Sequence, residues 1–394
     1  MKTEWHVVLR INAARNYGRG LLSGIGSYVR LRGNWQFYRQ PPRYIKTLHS
    51  HQEAARIRNW HPDGAILWDS EGIEELLSLE IPLVVSPNLV SKRLQPRLAS
   101  FPHITSNCTA IGEMAANYLL DKGFQHFAFC GFGKAPWSLN RQAAFEQRIA
   151  HAGHSVSIFQ SHEIREPTSW QQEIDQIAEW IGGLPKPLAV MACNDDRGLD
   201  ILEACRRAGC MIPEDVAVLG VDNEEESCEV FNPPLSSIHL NAVTAGNRAA
   251  RVLDAMMNGE VVAPDDYRIT VEPMYVVTRR STDVMAIEDR AVAEAVNFIL
   301  QHVFKPIQVE DVVRKIALSR RNLEQRFQKS LGRSVFEHIR KTKVTRISEM
   351  LARTQMSVHE IAQSFGYPDA HNISRLFQKE TGVGLLAYRR KYQL

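Results

Sequence analysis

The pattern Phe-Gln-Lys-x-x-Gly occurs twice near the end of this 394-residue chain, at Phe327 to Gly332 and at Phe377 to Gly382, an offset of 50 residues (377 − 327). Ahead of each copy lies an apolar set with the spacing of one buried helix face: Val309, Val312, Val313 and Ile316, then Val358, Ile361, Ala362 and Phe365. After a short break each set is followed by an i, i+4 pair, Leu323/Phe327 and Ile373/Phe377, and each glycine predicts a left-handed helix stop. Two helices, a tight turn and a polar second helix are the grammar of a helix-turn-helix unit, written here twice.

Polar groups gather on the second helix of each copy. Ser319, Arg320, Arg321, Asn322, Glu324 and Gln325 surround Leu323, and His371, Asn372, Ser374 and Arg375 surround Ile373. These groups are either a solvated face or a base-reading one, since Arg pairs with guanine, Asn and Gln with adenine, and Glu accepts from cytosine. Charge favours the second alternative. Residues 285–394 hold 19 Lys+Arg and 11 Asp+Glu, net +8 (19 − 11), and the rest of the chain holds 28 and 33, net −5 (28 − 33). Basic charge is thus concentrated where phosphates would have to be neutralised.

The stretch from Pro306 to Leu394, ending in Gly382-Val-Gly-Leu-Leu-Ala-Tyr-Arg-Arg, resembles the DNA-binding domain of the AraC/XylS family of transcription regulators. The resemblance implies two recognition helices in successive major-groove segments. It carries base-reading roles to Arg321, Glu324 and Gln325 in the first unit and to Ala370, His371, Ser374 and Arg375 in the second, with Ser319 and Arg320 beside them. Ala370 offers only an apolar contact, such as a thymine methyl.

Upstream, short apolar runs alternate with helix-length amphipathic segments. The runs are His6 to Ile11, Gly64 to Trp68, Pro82 to Val85, His126 to Cys130, Leu188 to Ala192 and Val216 to Val221; the helical segments include Ile111 to Lys122, Arg141 to Ala152 and Leu199 to Ala208. Such alternation predicts parallel sheets covered on both faces, here two α/β lobes dividing near residue 105. Ligands of such sheets lie beyond the strands' carboxyl ends. Three of those ends carry Cys193-Asn194-Asp195, Asp222-Asn223-Glu224-Glu225, and Trp137 with Arg141 one helical turn on. Asp and Asn there are either helix caps or, with an aromatic face and Arg, a sugar-binding set.

Asn194-Asp195, the run Gly209-x-x-Ile-Pro-Glu-Asp-Val-Ala-Val-Leu-Gly-Val-Asp222, Pro234-Leu-Ser-Ser-Ile238 and Gly246 resemble the sensor domain of the LacI/GalR repressors. That resemblance implies a periplasmic-binding-protein-like fold with Arg141, Asn194 and Asp222 on the effector. Trp68, Trp137, Asp195 and Tyr17 join them from strand-end position, and Leu240 stands where that family often has Gln.

The expectation is therefore an α/β two-lobed sensor domain over residues 1–283 followed by an all-α double helix-turn-helix domain over residues 284–394. The sensor would take a small sugar between its lobes, D-xylose or a related pentose, and control a catabolic operon, as an activator. Operator DNA, a second copy of the chain and, for an activator, RNA polymerase are the implied partners. No catalytic residue, cofactor or metal is expected. The rival class is a sugar-modifying α/β enzyme with a DNA-binding appendage, but no Gly-x-Ser-x-Gly elbow, phosphate loop or metal spacing is present. Gly18-x-Gly20-x-x-x-Gly24 lacks dinucleotide-binding spacing and predicts helix packing, and Glu224-Glu225-Glu226 predicts a solvated helix start. Met1 to Gly20 has only Val7-Val8-Leu9 as an apolar run and no small-residue cleavage site, so no signal peptide is expected. No stretch approaches a membrane span, and the six cysteines, without metal spacing, are expected as buried thiols in a reducing cytoplasm.

Overall fold

A computed structural model describes residues 4–32, 34–38, 50–68, 73–86, 95–98, 100–133, 135–159, 167–287 and 289–392. All six apolar runs form strands. In the first of two units (residues 1–107, 135–137 and 240–272) they belong to a sheet of β1 Trp5–Arg10, β2 Trp35–Phe37, β3 Gly64–Leu67, β4 Leu83–Val85, β5 His103–Ser106 and β11 Arg268–Val271. The order is β11-β5-β4-β3-β1-β2, and each neighbouring pair runs parallel. β3 and β4 are buried along their whole length, as strands with helices on both faces must be.

The glycines of helix Asn16–Arg32 are packing residues. A Cβ on Gly24 would lie 1.9 Å from the Val243 carbonyl oxygen, and one on Gly246 would lie 2.1 Å from that of Leu21. Helix Asn16–Arg32 and helix Ala242–Met257 therefore meet backbone to backbone. No larger residue fits without parting them.

The second unit (residues 108–134, 138–239 and 273–394) holds a sheet of β6 His126–Cys130, β7 Val156–Phe159, β8 Leu188–Ala192, β9 Val216–Asp222, β10 Ser236–Leu240 and β12 Pro273–Val277. Its order, β12-β10-β9-β8-β6-β7, repeats that of the first sheet. In both, order reverses between the first and third strands, β1/β3 and β6/β8, where open α/β sheets leave room for ligands. β8 and all but the last residue of β9 are buried. Among the strands that the sequence did not reveal, β2, β7 and β11 are three or four residues long and carry no continuous apolar run.

The same unit contains the helical carboxyl-terminal part: Arg290–Gln301, Val309–Ile316, Arg320–Leu331, Val335–Arg353, Val358–Ser364, Ala370–Thr381 and Leu385–Tyr392. Two cores share helix Val335–Arg353. One gathers Val292, Val296, Val312, Leu323 and Phe327, the other Ile347, Ile361, Phe365, Ile373 and Phe377. Phe327 and Phe377 are fully buried, each worth about 1.5–3 kcal/mol of transfer free energy. The repeated glycines end their helices in the left-handed conformation, Gly332 at φ 65° and Gly382 at φ 74°. Ser334 with Glu337 and Ser357 with Glu360 form capping boxes that start helices Val335–Arg353 and Val358–Ser364.

The junction into this helical part is folded onto the second sheet. A 3-10 turn at Arg280–Thr282 buries Ser281 and Thr282 completely. The Ser281 hydroxyl donates to the Val218 carbonyl (2.7 Å), and Ala286 N–H donates to the Lys122 carbonyl (2.8 Å). Asp121 pairs with Arg333 (2.5 Å) and Lys341 (3.0 Å), tying helix Cys108–Asp121 to the first helix-turn-helix unit. Among the described residues no helix is long and apolar enough to cross a membrane.

Candidate functional sites

At the carboxyl end of the second sheet, helix Pro136–His151 presents Arg141, which is 3 % exposed. Its guanidinium donates to the Cys193 carbonyl at 2.5 Å and stands 3.6 Å from the Asp222 carboxylate. Asp222 ends β9 with φ 103°, and Asn223 follows at φ 51°, both in a region that side-chain-bearing residues rarely adopt. Burial pushes the Asp222 carboxyl up to about 6, with the Arg141 charge opposing and Asp196 adding to the rise. The arrangement supplies a cation and an anion side by side, able to donate to and accept from adjacent hydroxyls.

Asn194 and Asp195 take roles that the sequence left open. Asn194 caps helix Asp195–Ala208, its side-chain oxygen accepting from Arg197 N–H at 3.1 Å while its amide donates to Asp196 at 3.3 Å. The cap orients its side chain at the strand end. Asp195, expected to contact the ligand, is 4 % exposed, and both of its oxygens are engaged inside the lobe: Ser237 Oγ donates at 2.5 Å and Glu224 N–H at 2.7 Å. Burial, then repulsion from Asp222, raises its carboxyl to about 7. It braces the β9 and β10 ends. Glu224 is buried too, so only Glu225 and Glu226 form the exposed helix start expected of all three.

In the first unit, Trp68 directly follows β3 at the order reversal, and Tyr17 lies in the first turn of helix Asn16–Arg32. Their rings meet edge to face, centroids 4.6 Å apart. Trp137, in the first turn of helix Pro136–His151, is half-buried. Four cysteines are buried, and burial raises Cys193 to about 11 and Cys205 to about 12, which keeps these thiols protonated.

The two recognition helices are Arg320–Leu331 and Ala370–Thr381. Arg321, Gln325, His371 and Arg375 are exposed, and their side chains have no hydrogen-bond or ionic partner among the described residues. Of the other expected contacts, Ser319, Arg320, Glu324 and Ala370 have duties within the domain. Ser319 caps the first recognition helix through Asn322 N–H (3.3 Å), and Arg320 pairs with Glu310 (2.6 Å). Ser374 is half-buried, and Ala370 packs against the second core. Glu324 is also half-buried: its carboxylate accepts the Val335 N–H at 3.1 Å, binding the first amide of the next helix.

Several residues that structure the sites escaped the sequence reading. Arg326, on the first recognition helix, pairs with Asp289 (3.1 Å) and Asn322 (2.8 Å), and Asp289 caps the first helix after the junction. Arg197 is fully buried, paired with Glu173 and Asp200 and stacked 4.2 Å over Phe132. Arg279 reaches Asn223, the residue after Asp222. Its only sequence signal was the Arg279-Arg-Ser-Thr-Asp283 run at the junction.

Comparison with known proteins covers both regions. A periplasmic binding protein-like domain model matches residues 116–282, and a helix-turn-helix domain model matches residues 312–391. The xylose operon regulatory protein of Escherichia coli K12 is 30 % identical over 99 % of this chain and 98 % of its own. That of Haemophilus influenzae is 28 % identical over 95 % of this chain and 96 % of its own. A solved structure of a xylose-binding transcription activator covers 100 % of both chains at 28 % identity with a TM-score of 0.60. These relatives are transcription regulators rather than enzymes. Likeness that runs end to end, through both sheets and both helix-turn-helix units, means that the chain belongs to the xylose operon regulatory protein family.

Proposed function

We propose that this protein is a D-xylose-responsive activator of pentose catabolic genes, acting in the cytoplasm as a homodimer and recruiting RNA polymerase, with no turnover of the sugar. The observation that carries the reading is the presence in one chain of a pair between buried Arg141 and half-buried Asp222 at a strand end and two exposed sets of base-reading side chains, partnerless among the described residues. Arg141, Asn194 and Asp222 hydrogen-bond the sugar. Tyr17, Trp68 and Trp137 are the aromatic groups for its carbon–hydrogen face, and Asp195 holds Asp222's surroundings in place. Arg321, Gln325, His371, Ser374 and Arg375 read base edges, with Ser319, Arg320 and Glu324 setting the helices that carry them. Likeness along the whole chain to a xylose operon regulatory protein and to a xylose-binding transcription activator supports xylose as the sugar and activation as the outcome.

A melting screen against pentoses and hexoses tests the sensor, because a ligand at about a hundred times its dissociation constant stabilises the native state by roughly 2.7 kcal/mol. D-xylose is expected to raise the melting temperature and to tighten operator binding, and to be recovered unchanged afterwards. A protein that no pentose stabilises, or that converts D-xylose to product, refutes the reading.

A further inference from the structure

We propose that Arg279 is the positioning residue that ties the sugar-contacting turn to the DNA-binding domain, by holding Asn223 and with it the backbone of Asp222. The inference rests on Asp222 being a sugar contact and adds how that contact reaches the DNA-binding helices.

Asp222 and Asn223 both have positive φ, a strained conformation that persists only where the surroundings hold the chain in it. Three elements do so. Asn223 N–H donates to Ser237 Oγ (2.9 Å) on β10, Glu224 N–H donates to Asp195 (2.7 Å) at the start of helix Asp195–Ala208, and the Asn223 side-chain oxygen accepts from the Arg279 guanidinium (2.9 Å). The amide of Asn223 also meets His239 Nδ1 at 3.4 Å. Of these braces, Arg279 alone belongs to the junction. The same guanidinium donates to the Leu235 carbonyl (3.0 Å) and pairs with Glu229 (2.5 Å), so its planar fork satisfies three acceptors at once.

Arg279's own peptide is equally fixed. Its N–H donates to Ser236 Oγ (2.8 Å), which donates back to its carbonyl (2.9 Å). Thr282 Oγ1 donates to the same Ser236 oxygen (2.7 Å) and shares a hydrogen bond with Tyr118 (2.8 Å). From there the chain passes Ala286, bonded to Lys122, and reaches Asp289, which caps the first helix of the DNA-binding domain and pairs with Arg326 on the recognition helix. A sugar that reorients Asp222 thus changes the hold of Asn223 on Arg279 and, along the short junction to Asp289, the seat of the first recognition helix. Glycine or serine linkers, which would dissipate such a change, are absent between Asp283 and Asp289.

The test is a double-mutant cycle read as coupling, using the full-length chain, D-xylose and operator DNA. Sugar affinity is measured by calorimetry with and without operator for the unaltered protein, Arg279→Lys, Asn223→Ala and the double variant. Lysine keeps the charge beside Glu229 but cannot serve three acceptors. Both single variants are expected to bind operator normally without sugar, while the ratio of the two sugar affinities falls from the ordinary coupling range of about 5- to 150-fold to within about twofold of unity. The double variant is expected to do no worse than either single one, which independent structural damage would not produce. Unchanged coupling in Arg279→Lys, or additive losses in the double variant, overturns Arg279's role alone. No D-xylose binding by the unaltered protein overturns the sugar assignment and this inference together.

Discussion

Glu324 separates a base reader from a brace. Its carboxylate lies 3.1 Å from the amide of Val335, at the positive end of helix Val335–Arg353 on which both helix-turn-helix cores are built. Loss of a side-chain acceptor at a helix amino terminus costs about 1 kcal/mol, within roughly 0.5–2, and about 1 kcal/mol is close to a fivefold change in an equilibrium constant. Glu324→Ala is therefore expected to speed amide exchange along that helix by about fivefold. Operator binding should weaken by one common factor on preferred and altered sequences. All seven tryptophans precede the DNA-binding domain, so hydrogen exchange rather than tryptophan fluorescence is the assay. Arg321→Ala is the counterpart. Its side chain is exposed and partnerless among the described residues, so exchange should not change, while operator affinity drops by about 1–3 kcal/mol and preference relaxes at one base pair. If Glu324→Ala leaves exchange untouched and relaxes preference at a single position, the carboxylate reads DNA and the bracing role is refuted.

Arg141→Ala removes the cation beside Asp222 and a donor to the Cys193 carbonyl; D-xylose affinity measured by calorimetry is expected to fall by at least about 1–3 kcal/mol while sugar-free operator affinity holds. Asp222 also sets a pH dependence. Its folded-state value, raised from 3.8 to about 6, means that the native state takes up a proton before the unfolded chain does. This group's stabilising contribution is therefore present in full below about 4 and lost as pH rises through about 6, whereas sugar affinity, which needs the carboxylate as acceptor, falls as pH drops through about 6. Calorimetric titrations from about pH 7.5 to about 5 should show that loss in the unaltered protein, and a flat profile there would remove Asp222 from the site. Gly24→Ala places a methyl against the Val243 carbonyl and is expected to cost about 1–3 kcal/mol in urea unfolding followed by tryptophan fluorescence, leaving DNA-binding-domain exchange unaltered.

The elements were legible wherever the signal was local. The period of Val309, Val312, Val313 and Ile316 and the stops at Gly332 and Gly382 all act within a few residues, so the helix-turn-helix units could be read directly. The runs that became β3, β8 and β9 were equally plain, because a strand covered on both faces must be apolar throughout. Helix packing by Gly20 and Gly24 followed from their spacing, though not the partner helix more than 200 residues on that contains Ala242 and Val243. What only the tertiary structure decided was the partner of each polar side chain. Asp195 meets Ser237, 42 residues away; Arg279 meets Asn223, 56 away; and Glu324 reaches past the end of its own helix to Val335. An Asp or Glu carries the same carboxylate whether it accepts from a ligand, a base or a buried amide. Which donor it meets depends on elements distant in sequence that share a sheet edge or a helix end, and that neighbourhood exists only once the chain has folded.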